Sequence, residues 1–415
     1  MNSLLRINDT LPNKISYFLL LLFLAYLPFD RFYAELMLIS FGIHTLIQVR
    51  DLRWRQLPIG VLLQLQLVFL LGVLCLLYSH YRSDGINQLG KQMAILLFPI
   101  LFAITTIDIS QYKEKLLKGF SLTCVFTILY LYIDAVKTIV VTGLPLSSLF
   151  SKAFINHNFS QPIDLHATYL SMYACLSFTY LLQQLLHTRQ RLHQLLYLAA
   201  CCLLMAGMIQ LASNAVLIAA FIIINSLLLL AWPTKQKTFV RLLTSLSVTA
   251  VILAAMYATP GIRNRFFLHF KQEFATKNYE PVIPEPRAAR WQSALTAIQQ
   301  APLLGYGTGS ETAILKQQYY KDKLYIAYYD ELNTHNQYLS LAIHFGCLGL
   351  LLFVCILSAS FLTAIRRKEL VFLGFLIIIT ITSFSENILS VNKGIFFFSF
   401  FYPLFLIPAN TQKHA

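Results

Sequence analysis

Charge is what this sequence has least of. Only 12% of its 415 residues are Asp, Glu, Lys or Arg, where soluble domains average about 25%. With 57% hydrophobic residues and a mean hydropathy of +0.63, the chain has more apolar surface than water tolerates, which excludes an ordinary soluble domain and points to a bilayer. Cysteine is absent from the polar stretches. All seven (Cys75, Cys124, Cys175, Cys201, Cys202, Cys347 and Cys355) lie in apolar runs without metal-like spacing, and they read as small buried hydrophobes. A sustained basic face is missing too. The net charge of +14 is scattered between apolar runs, so nucleic acid is not an expected partner. No internal repeat is visible, and no small-residue cleavage site follows the first apolar run, which is expected to be a retained span.

What is present is apolar sequence in stretches. Twelve runs, from 15–29 to 394–410, approach or exceed the about 20 residues that cross a hydrocarbon core. They predict an all-α integral membrane protein of about twelve transmembrane helices, a single polytopic domain over residues 1–415. Lys and Arg orient it. With the N-terminus inside, alternate connections on that side carry seventeen of them, and the short connections opposite carry five. Cytoplasmic loops have this excess, so both termini are expected in the cytoplasm. One connection is unlike the rest: residues 259–336, between runs nine and ten, form a large loop on the outer, periplasmic side. A loop of that length is usually functional or folded.

Within it, residues 287–300 contain no Gly or Pro, and Trp291, Leu295 and Ile298 share one face, predicting a helix that starts after Pro286 and stops at Pro302. Arg287 and Arg290 fall in its first turn, where the helix dipole disfavours cations, as though something anionic compensates. "PLLGYGTGS" then alternates Gly305, Gly307 and Gly309, a backbone able to approach a ligand closely, although a loop between elements accounts for it equally well. The loop ends at His335, just before an apolar run. A lone histidine there is often only interfacial. Imidazole is nonetheless a side chain suited to general-base work near neutral pH, and Glu331, four residues earlier, is placed to orient it if a helix extends that far back. His344 is a weaker candidate. No divalent-metal motif is present.

Taken together, Arg287 with Trp291 four residues on, then Pro302, "GYGTG", His335–Asn336 and "GCLG" resemble the O-antigen ligase and polymerase family of multi-span inner-membrane glycosyltransferases, with residues 200–360 resembling the ligase domain. The resemblance implies twelve spans and a helical periplasmic loop. It also implies metal-independent, single-displacement transfer of a glycan from an undecaprenyl-diphosphate carrier to an acceptor hydroxyl at the periplasmic face. Ligases use lipid A–core as acceptor; polymerases use a second carrier-linked glycan. No cofactor is implied. On this resemblance His335 is the base and Arg287 a donor-diphosphate ligand, and we add Arg290 as a second phosphate contact. Asn336, Trp291, Gly305 and Gly307 are expected as substrate contacts.

The family commonly has a Ser-Arg pair between spans seven and eight as a further diphosphate ligand. Here the pair is Ser213–Asn214. Asn214 donates a hydrogen bond but carries no charge, so either another cation, Arg263 or Arg265, substitutes or the donor is held differently. A second outer polar cluster, "INHNFSQPIDLHATYLSMY" (155–173), brings His157, Asp164, His166 and Tyr169 to a span boundary. It is either interfacial or a sugar-binding rim, and His166 and Tyr169 are carried forward as substrate contacts. The rival class, a transporter or lipid-linked oligosaccharide flippase, predicts repeated halves and polar groups at mid-membrane; here the polar residues concentrate in one late outer loop.

Overall fold

The computed structural model describes residues 2–29, 31–48, 59–230, 238–268 and 285–407. Among the described residues there is no strand. A helix forms at each of the twelve apolar runs, because a helix satisfies every backbone donor within its own segment. In chain order these are α1 Leu11–Tyr26, α2 Arg31–Ile47, α3 Ile59–Leu76, α4 Arg82–Ile104, α5 Ile109–Val141, α6 Ala167–His187, α7 Arg191–Leu211, α8 Asn214–Leu230 and α9 Thr238–Ala258. The late polar segment contributes α10 Arg287–Gln300, α11 Glu311–Lys321 and α12 Tyr325–Tyr329, followed by α13 Gln337–Arg367, α14 Leu370–Thr382 and α15 Asn392–Leu406. Six of them (α3, α4, α5, α7, α9 and α13) are long and apolar enough to cross a membrane. Most of the proline-punctuated stretch "NYEPVIPEP" (278–286) that precedes α10 lies outside the described residues.

One boundary departs from the sequence reading. Residues 82–91 read as a connection, yet they form the first turns of α4. Asp84, Asn87, Gln88 and Lys91 recur at i, i+3, i+4 and i+7, which gathers the polar groups on one stripe and frees Gly85, Leu89 and Gln92 to be buried on another.

The ends of the chain share a core. Phe23 of α1, Phe98 and Phe102 of α4 and Phe400 of α15 pack ring to ring with centroids 5.1 to 5.8 Å apart, aromatic pairs worth about 0.5–1.5 kcal/mol each beyond their burial. Gln92 Nε2 donates to the Leu389 carbonyl at 2.8 Å, pinning the segment before α15 onto α4.

Two irregularities shape the end of the bundle that carries the late polar segment. α13 is broken at Gly346 (φ 64°, ψ −164°), and the 302–307 segment is stitched into the break. Tyr306 N–H donates to Ile343 O at 2.9 Å, Gly307 N–H to His344 O at 2.9 Å, and Cys347 N–H to Pro302 O at 2.8 Å. Gly305 has φ +65°, and a Cβ there would lie 2.5 Å from Ile343 O. The glycines expected at a ligand are thus placed against a helix, because the break leaves polar groups that need partners. The other irregularity separates α7 from α8, where Ala212 turns left-handed (φ 50°) and points the N-terminus of α8 into a cavity.

Candidate active site

His335 lies in a tight turn, 333–336, ahead of α13. Its own backbone is left-handed (φ 45°), a conformation costing of the order of 1–2 kcal/mol outside glycine. The turn is held from all sides. His335 N–H donates to Asn333 Oδ1 (3.0 Å), Trp291 Nε1 to Thr334 O (2.9 Å), Arg290 Nη1 to Asn333 O (3.4 Å) and Thr334 N–H to Glu311 Oε1 (3.0 Å). Asn336 N–H donates to Asn387 Oδ1 (2.7 Å), while Asn336 Oδ1 caps α13 by accepting from the N–H groups of Tyr338 (3.0 Å) and Leu339 (3.2 Å). The structure therefore places Arg290, Trp291 and Asn336 under the turn as braces. Arg290 is buried there and lines neither of the cavities that His335 faces.

Glu331 does not orient the His335 ring. The 331–336 stretch is not helical, and Glu331 pairs instead with Lys316 at 2.5 Å. The carboxylate at the ring is Glu386, from the segment joining α14 to α15, whose Oε2 lies 3.4 Å from His335 Nδ1. Burial alone would raise the Glu386 carboxyl, but the bond to His335 and the nearby His166 and Arg287 together hold it below its ordinary value. With the proton on Nδ1 facing this carboxylate, the Nε2 lone pair of His335 is free to accept another. The sequence carries a signal for Glu386 in hindsight: an ionisable residue in a short connection between two apolar runs.

His335 and Glu386 face two adjoining cavities. The smaller, about 180 Å³, is also lined by Ser213, Asn214, Arg265, Arg287 and His166. Arg287 is tied by Nη1 to Ser385 O at 3.2 Å. Arg265 Nη2 reaches the side-chain oxygen of Asn156 at 2.9 Å once that amide is turned to satisfy both its groups. The first turn of α8 supplies N–H groups and the positive end of its dipole. The larger cavity, about 600 Å³, is walled by His166, Tyr169, Asp164 and Lys393. Of the expected substitutes for the missing charge at Asn214, Arg265 lines the smaller cavity and Arg263 does not. Three non-glycine residues around this small space, Asn156, Ala212 and His335, are left-handed, and strain of this kind concentrates at functional sites.

Residues 176–354 match the family model described as O-antigen ligase. Over that segment, somewhat less than half of the chain, the sequence is similar to the O-antigen ligase family. No curated protein matches the chain. The O-antigen ligase match runs from α6 into α13, so it contains Asn214, Arg265, Arg287 and His335 and stops short of Glu386.

At this site His166 is strongly altered by its surroundings. It precedes α6, its Nδ1 accepts from Thr168 N–H at 3.3 Å, and its ring packs on that of His157 with centroids 4.2 Å apart. Burial, opposed by Glu386 and reinforced by His157, His335 and Lys393, lowers its pKa to about 4. Between pH 6.5 and 4 the unfolded chain therefore binds a proton that the folded chain refuses, so stability falls as pH falls through that window, by at most about 3 kcal/mol. Glu386, with its lowered value, adds a loss of the same sign below pH 4.5. Melting of the detergent-purified protein at pH 7.0, 5.5 and 4.5 is expected to show the decline, and His166→Asn to flatten its upper part. An unchanged slope in the variant would mean that His166 is protonated in the folded state.

Proposed function

We propose that the chain transfers a glycan from undecaprenyl diphosphate to an acceptor hydroxyl at the periplasmic face of the bacterial inner membrane, and that the acceptor is lipid A–core, which makes it an O-antigen ligase. The observation that carries this reading is a carboxylate-backed histidine beside a small cavity where two arginines and a helix N-terminus converge. A leaving diphosphate needs that convergence of positive charge, and an attacking hydroxyl needs that base.

In this mechanism the diphosphate occupies the smaller cavity, held by Arg265, Arg287 and the first-turn N–H groups of α8. Asn214 joins them. Its amide oxygen is buried without a partner among the described residues, and a half-turn of the amide presents N–H to a phosphate instead. The first donor sugar sits in the larger cavity. His335 Nε2 takes the acceptor's hydroxyl proton as the oxygen attacks the anomeric carbon, and the bond from that carbon to the diphosphate breaks with its electrons leaving on undecaprenyl diphosphate. Glu386 holds the imidazolium so formed, which then releases its proton to water.

The test supplies purified protein with an undecaprenyl-diphosphate oligosaccharide and lipid A–core, and reads products by mass spectrometry. Glycosylated lipid A–core is the expected product. A lengthened carrier-linked glycan in its place would make the chain a polymerase, and an intact donor with every acceptor would sink the proposal.

A further inference from the structure

We infer that a third cavity, of about 570 Å³, across the 333–336 turn from the diphosphate site, is a carbohydrate subsite that holds sugar units of the acceptor glycan. The inference rests on the glycosyl-transfer reading and extends it to a part of the molecule the mechanism has not used.

One wall is the polar stripe of α4, Asp84, Asn87, Gln88 and Lys91, and the facing wall is α11, with Thr312 and Lys316 one turn apart. Such a stripe at the head of an otherwise apolar helix is costly unless it faces water or a polar ligand. The two walls are locked in register. Gly309 N–H donates to Gln88 Oε1 at 3.1 Å, Thr308 O accepts from Ser79 Oγ at 2.8 Å, and a Cβ at Gly85 would lie 2.8 Å from Thr308 O. The space between them is framed by backbone, as a preformed site requires.

The chemistry of the lining selects the ligand. In the diphosphate cavity cations dominate, whereas here Asp84, Glu311 and Glu331 outnumber Lys91 and Lys316, and Lys316 is already paired with Glu331. Nothing in that lining favours an anion. Nor is there a floor for a lipid chain, since the only aliphatic side chain among the lining residues is that of Ala313. Amides, hydroxyls and carboxylates spread over two rigid walls provide mixed donors and acceptors, the complement of sugar hydroxyls, each of which donates one bond and accepts others.

Position assigns the sugar to the acceptor. Asn333 and Asn387 line both this cavity and the 600 Å³ cavity containing His335, while no lining residue is shared with the diphosphate cavity. The order across the outer face is therefore diphosphate, reacting centre, polar cavity. Single displacement brings the nucleophile to the anomeric carbon from the side opposite the leaving group, and that side opens here.

Asn87→Trp and Thr312→Trp each fill the cavity from an exposed wall position, and unchanged melting is expected. With undecaprenyl-diphosphate oligosaccharide as donor, and lipid A–core or a second carrier-linked glycan as acceptor, the acceptor KM should rise at least tenfold while the donor KM stays constant. A donor KM that rises alone would overturn the acceptor assignment, and acceptor kinetics unchanged in both variants would overturn the subsite. A binding measurement separates this inference from the one beneath it. Lipid A–core added without donor should slow hydrogen exchange in peptides covering 84–91 and 311–316 of the wild type. If that protection is seen but no transfer ever occurs, the glycosyltransferase reading fails and the subsite stands. Exchange at both peptides unaltered by either acceptor would remove the subsite.

Discussion

Replacing His335 by alanine is expected to lower turnover about 10²- to 10⁴-fold, the contribution of a positioned general base, with donor affinity nearly unchanged. Every contact that fixes the turn is made by the backbone of 333–336 or by the side chains of Trp291, Arg290, Asn333, Thr334 and Asn336, so the variant should keep its fold. Removing Glu386 acts on the same step indirectly. Its carboxylate lies 3.4 Å from His335 Nδ1, and the proposed mechanism uses it as a positioning residue. Glu386→Gln should therefore reduce kcat while sparing the KM for donor, and Glu386→Asp should recover part of the loss. Single-turnover measurements on the three variants, alongside donor binding, check the expectation. His335→Ala turning over at the wild-type rate would eliminate the base, and a Glu386→Gln defect confined to KM would move Glu386 into donor binding.

The second large effect concerns the diphosphate. A hydrogen bond to a charged group is worth about 1.5–3 kcal/mol, so Arg265→Ala and Arg287→Ala should each cost about ten- to a hundredfold in donor affinity. The two need not add, because both guanidinium groups line one space of about 180 Å³ and address one ligand. The more informative variant is Asn214→Arg in the Arg265→Ala background. It moves a cation from the 264–268 segment to the first turn of α8, on the same cavity, and leaves the total charge as it was. Donor binding should recover substantially there. Full donor binding by Arg265→Ala alone would show that the missing arginine at Asn214 has no substitute on that wall.

Much of this was legible in the sequence, and the rest was not for reasons that can be named. Helices follow from apolar runs because a low-dielectric surround leaves the backbone little choice. The 287–300 helix follows from its bracketing prolines and one apolar face. His335 and Arg287 were readable from local spacing, and the structure puts both on one cavity. Glu386 was not, since its partner lies 51 residues away and only tertiary packing brings the two together. The reading of residues 82–91 as a connection failed because polarity was counted along the chain, not around the helix. Arg290, Trp291, Asn336, Gly305 and Gly307 were expected to touch substrate. They are found under the turn or in the break of α13, where the backbone's own unmet donors and acceptors had the prior claim.

The pairing of His335 with a carboxylate beyond α14 also bears on how the protein is made. A ribosome that has delivered the whole ligase-type segment, up to residue 354, has not yet synthesised Glu386 or Asn387, which hold the ring and the turn. Nor has it made Leu389, whose carbonyl ties this connection to α4, or Phe400, which closes the aromatic core on α1. The residues proposed to bind the donor are thus made before the carboxylate that holds the proposed base. On the proposed mechanism, a nascent chain at that stage could meet the carrier lipid but would transfer nothing from it until the last two helices are in place.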